Sequence, residues 1–112
     1  LNLRWLNPLD EAALLALVAK VGGRILIVHE AVRTGGFAGE IAMRLSELTE
    51  GRQSLTVRRL TTPDVRLPAS PVLQAALLPS IEGIVTTARE IARPASGHPA
   101  SATRARRTSR AA

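Results

Sequence analysis

The chain holds 112 residues, which sets the expectation at one small domain burying roughly 65% of the surface its unfolded chain would expose. Aromatics make up only 2% against 46% hydrophobic residues, so the core has to be aliphatic; with no cysteine, a disulfide framework, a thiolate nucleophile and a Cys-based metal site are excluded. The net charge of +6 is uneven: Arg104, Arg106, Arg107 and Arg110 put four of the 15 bases in residues 94–112 without an acid, which leaves 11 bases against 9 acids elsewhere.

No apolar run approaches the ~20 residues that a membrane-spanning helix needs. The opening LNLRWLNPLD has neither the basic start nor the apolar middle of a secretory signal. The expectation is a cytoplasmic protein. The lack of an initiating Met adds the expectation of a fragment.

Residues 1–6 read as a short strand, with Leu3 and Trp5 on one face, ended by Pro8. Asp10 is placed to cap a helix over 12–20, with Leu14, Leu17 and Val18 on one side and Gly22–Gly23 closing it. Arg24 to Val28 follows as a base and four consecutive apolar residues, the pattern of a strand covered on both faces. After the Thr34–Gly35–Gly36 turn, Phe37, Ile41, Leu45 and Leu48 recur at helical spacing, which predicts a helix over 36–48. Glu40 and Arg44 are spaced to form an i,i+4 pair on its outer side.

Residues 54–60, SLTVRRL, read as another strand. Three prolines keep 61–72 irregular, with Val65 and Leu67 offered as apolar anchors. A short helical turn over 72–78 ends at Pro79. Ser80 then caps a last helix whose Ile81, Ile84, Val85, Ala88, Ile91 and Ala92 predict a core-facing stripe. From Pro94 on, no apolar residue larger than alanine occurs, a composition that predicts a disordered tail over 94–112. Alternating helices and apolar strands make residues 1–93 an α/β domain with a mostly parallel sheet, although three strands are few for one.

Two stretches invite a functional reading. The glycine turn resembles a phosphate cradle, since free N–H groups at a helix start attract anions. A dinucleotide fingerprint needs glycine at relative positions 1, 3 and 6, and Thr34 stands at the first of them, before Gly36 and Gly39. Packing of the helix start is the simpler explanation of these glycines. His29 and Glu30 end a strand, but neighbours on a strand point to opposite faces and cannot act as one acid/base pair. Two distant histidines and scattered acids do not approach metal-ligand spacing. The tail's arginines could meet phosphates without sequence preference, but no aromatic offers stacking there, so nucleic acid is not an expected partner.

LNPLDEAAL, ILIVHEAVRTGGFAGEIAMRL, TTPDVRLP and ALLPSIEGIVTTAREI, in this order, carry a family resemblance over residues 1–93. The chain resembles the C-terminal transketolase-type domain of the beta subunit of thiamine-dependent 2-oxo acid dehydrogenases (pyruvate, branched-chain or acetoin type). The resemblance implies a three-layer α/β/α domain in an α2β2 enzyme that buttresses the beta–beta contact and helps hold the acyltransferase's subunit-binding domain. It implies thiamine diphosphate and Mg²⁺ for the full enzyme, bound outside this chain. The family's catalytic histidine and thiamine-activating glutamate belong to the preceding domain, so His29 is not that histidine.

The resemblance also marks departures. The family's domain begins with one further strand and helix, the strand lying between the segments equivalent to 1–6 and 24–28. Pro is frequent where Arg66 stands, and an aromatic near Ala69. Nineteen residues, 94–112, follow the last helix at the end of the chain used for acyltransferase docking. The expected role is therefore assembly without chemistry, with interface residues His29, Glu30, Arg33, Thr34, Gly35, Gly36 and Phe37, and no catalytic, cofactor or metal residue. The alternative is a small module binding an anion at the Gly35–Gly36 helix start.

Overall fold

Asp10 begins the first regular element by accepting a hydrogen bond from the Ala13 N–H at 2.9 Å, the N-cap arrangement that its short carboxylate favours. In the computed structural model, which describes residues 1–93, the helix α1 (Glu11–Lys20) leads through the Gly22–Gly23 turn into the strand β1 (Arg24–Val32). Next come α2 (Phe37–Thr49), β2 (Thr56–Thr62), α3 (Pro71–Leu77) and α4 (Ile81–Ala92). Ser80 caps α4 by accepting from the Gly83 N–H at 3.0 Å.

β1 and β2 form a two-stranded parallel sheet, with Ile25 opposite Val57 and Val28 opposite Leu60. The fold is α/β in three layers. α1 and α2 cover one face, where Leu14, Val18, Ile41 and Leu45 enclose Ile25, with Ile27 and Val57 packed beside them. α4 covers the other, where Leu60 lies under Gly83. Alternation along the strands explains the split: Ile25, Ile27 and Val57 point one way and Leu60 the other. Full burial of an aliphatic side chain contributes about 1.5–3 kcal/mol, so the α1/α2 side carries most of the hydrophobic stabilisation.

Four expectations need correction. Residues 1–6 form no strand. Their backbone lies outside the two-stranded ladder, and without a ladder partner an extended segment gains no sheet hydrogen bonds. Leu3 still packs against the core, while Trp5 is 74% exposed. The α4 stripe splits: Gly83, Ile84, Thr87 and Ile91 are half-buried, whereas Ile81, Val85, Ala88 and Ala92 face solvent. Val65 and Leu67 are exposed and are not among the side chains packed against the core. Arg44 pairs not with Glu40 but with Glu11 on α1 and, at 3.8 Å, with Glu47. An acid on a neighbouring helix competes with the local i,i+4 acid for the same guanidinium. The tail reading for 94–112 lies outside the described residues.

Candidate functional site

Parallel strands bring their carboxyl ends to one edge of the sheet, and here that edge joins the 33–36 turn to the loop after β2. The register slips on the way. His29 is opposite Thr61 and Val32 opposite Thr62, so Glu30 and Ala31 are extra residues in β1, a bulge that re-aims the turn.

Two sets of contacts tie the loops together. The Thr34 N–H donates to one oxygen of Asp64 at 2.7 Å, and the Thr34 hydroxyl donates to the other at 2.6 Å. These bonds, the hydroxyl's first and the backbone's second, hold the Asp64 carboxyl below its ordinary range, helped by the Arg33 backbone and charge. Arg59 donates to the Arg33 carbonyl at 3.1 Å, and Arg33 returns a longer bond to the Arg59 carbonyl at 3.4 Å. The most distinctive segments of the sequence, RTGGF and PDV, are therefore bound to each other.

Glycine is required in the turn for two separate reasons. Gly35 has φ of 75°, which side-chain-bearing residues rarely adopt. Gly36 caps α2 from an extended conformation, and a Cβ there would lie 2.1 Å from the Val32 carbonyl oxygen. Both requirements concern backbone packing, not a ligand.

The turn borders a recess of about 760 Å³ lined by Leu6, Asn7, Gly36, Phe37, Glu40 and Arg44 among others. As an anion site it is poorly built. The Thr34 N–H already serves the Asp64 carboxylate, Glu40 adds negative charge at the helix start, and Arg44 is committed to Glu11. The same features do not fit the diphosphate of thiamine diphosphate. Among the described residues, no three His, Asp or Glu side chains gather where Mg²⁺ would need oxygen ligands.

His29 and Glu30 are not brought together. His29 lies half-buried on the α2 side, lining a groove of about 500 Å³ between β1 and residues 1–6, while Glu30 is exposed. The His29 Nδ1 is shut off from water and has no hydrogen-bond partner, so no group among the described residues orients the ring for proton transfer. Arg33, Thr34 and Gly35 are exposed, and Gly36 and Phe37 half-buried. Sequence reasoning missed Asp64 as the residue that fixes the turn. Its signal was the PDV motif one residue past a strand parallel to β1, which puts its carboxylate near the end of the neighbouring strand.

The Transketolase, C-terminal domain family model matches residues 1–84. The beta subunit of acetoin:2,6-dichlorophenolindophenol oxidoreductase of Bacillus subtilis is 32% identical over 91 residues, covering 81% of this chain and 26% of that protein. The mitochondrial pyruvate dehydrogenase E1 component subunit beta of Pisum sativum is 33% identical over 89 residues, covering 80% and 24%. The 2-oxoisovalerate dehydrogenase subunit beta of Bacillus subtilis is 27% identical over 92 residues, covering 81% and 28%. The chain thus spans about a quarter of the length of these relatives. No solved structure matches.

Proposed function

The chain belongs to the transketolase C-terminal domain family, and from that membership we propose that it is the C-terminal assembly domain of a 2-oxo acid dehydrogenase beta subunit, supporting subunit association and carrying no chemistry of its own. The observation that carries the reading is the Thr34–Asp64 lock. It uses the polar groups of the turn, the Thr34 N–H and hydroxyl and the Asp64 carboxylate, to join two loops, which supports a structural role for this edge of the sheet. Around it, Val32, Val65 and Leu67 expose apolar surface beside Glu30, Arg33 and Arg66, the mixture of apolar and charged groups found in subunit interfaces.

The partners on this reading are the alpha and beta subunits of the dehydrogenase, and beyond them the acyltransferase's subunit-binding domain. Thiamine diphosphate, with Mg²⁺, is the group that supplies the decarboxylation chemistry, and no residue of this chain is assigned to it. The test immobilises the full chain and measures capture of the purified alpha and beta subunits. Val65→Asp or Leu67→Asp should weaken capture about tenfold, the scale of a buried interface residue. The chain alone should turn over no 2-oxo acid when thiamine diphosphate and Mg²⁺ are supplied. Turnover by the chain, or capture indifferent to both substitutions, would overturn the proposal.

A further inference from the structure

The groove between β1 and residues 1–6 takes no part in the Thr34–Asp64 lock, and its lining has a chemistry of its own. Leu14, Leu17, Ile25, Ile27, Ile41 and Leu45 make most of it aliphatic. At about 500 Å³ it falls within the size of small-molecule sites, roughly 300–1,000 Å³, which are mostly apolar with a few polar groups.

Those polar groups select the occupant. Asn2, Arg4 and His29 line the groove, and no acid does. Arg4 makes no ion pair among the described residues, so its charge is unspent. The His29 Nδ1 is shut off from water without a partner, which leaves Nε2 as the ring nitrogen that a ligand in the groove can reach. A carboxylate selects the tautomer with its proton on Nε2, because that N–H donates and a bare ring nitrogen cannot. The Arg4 guanidinium adds a second charge-assisted donor. An occupant that satisfies this lining is apolar along most of its length and carries one negative charge. We propose that the groove binds a free medium-chain fatty acid as its carboxylate. The alkyl chain lies along the aliphatic residues, and the carboxylate accepts from Arg4 and from the His29 Nε2–H. The site does not rest on the assembly role, since octanoate binds or fails to bind whether or not the alpha and beta subunits are captured.

Octanoate titrated into the nitrogen-15-labelled full chain should shift the amides of Ile25, Ile27 and His29, with a dissociation constant of about 0.1–1 mM. Octanol keeps the alkyl chain but loses the charge, and should bind about tenfold more weakly. Octylamine, which carries the wrong charge for Arg4, should bind more weakly still. Butyrate, with half the carbon atoms, should lose more than about tenfold against octanoate. These comparisons all use the native chain, so none depends on a variant folding. Arg4→Gln should weaken octanoate about threefold, the scale of an exposed charge, and His29→Leu about tenfold. Octanol should respond to Arg4→Gln by less than about twofold, because it has no charge to lose. Octanol binding as tightly as octanoate, Ile25 and Ile27 amides unmoved at about 10 mM octanoate, or octanoate affinity indifferent to both substitutions would each overturn the proposal.

Discussion

The Thr34 hydroxyl reaches across 30 residues of sequence to donate to Asp64 at 2.6 Å, while the Thr34 N–H occupies the other carboxylate oxygen. One side chain thereby fixes both the turn before α2 and the loop after β2.

Removing that carboxylate should loosen the turn without unfolding the core, since Asp64 is exposed and is not part of the buried cluster around Leu45. Asp64→Ala should speed amide hydrogen exchange at Thr34 about tenfold or more and leave exchange at Leu45 within about twofold, because local opening and global unfolding are separate events. Thr34→Val, which keeps the N–H bond and loses the hydroxyl bond, should give an intermediate rate. Equal acceleration at Thr34 and Leu45 would contradict the local role.

The pH dependence has a defined sign. The folded Asp64 carboxyl titrates below its ordinary value of 3.8, so the folded state binds this proton less readily than the unfolded one. Its stabilising contribution is fully present above that ordinary value and is lost as pH falls through the lowered one. Titrating from pH 6 to 2 should show Thr34 amide protection falling on the acid side in the native chain, with the corresponding step absent in Asp64→Asn.

The two glycines of the turn should respond differently to alanine. Gly36→Ala forces a Cβ to 2.1 Å from the Val32 carbonyl oxygen, so backbone has to move, and about 2–4 kcal/mol of stability should be lost. Gly35→Ala meets open space but has to hold φ at 75°, which costs about 1–2 kcal/mol. Urea melts of both variants should rank them in that order.

Burial, not hydrophobicity, should rank the aliphatic side chains. Leu45→Ala empties a site only 1% exposed and should cost about 2–5 kcal/mol. Val85→Ser, on the more exposed side of α4, should stay within about 0.5 kcal/mol by thermal melting. A large loss at Val85 would mean that α4 is seated differently on the sheet.

Local sequence alone determined where most elements begin and end. Asp10 and Ser80 mark helix starts because their short side chains reach N–H groups three residues on. The spacing of Ile41 and Leu45 located the buried side of α2, and the unbroken run Ile25–Val28 located β1, because helical and strand periods are properties of the backbone. The strand at 1–6 failed for a non-local reason: a strand exists only where another supplies its hydrogen bonds. The α4 stripe failed similarly, since periodicity reports that a helix has apolar sides but not which of them meets the sheet. At the candidate site, the glycines were legible as a turn, but the carboxylate that occupies it was not. Thr34 and Asp64 become neighbours only when β1 and β2 align in parallel, and that pairing is decided by tertiary structure.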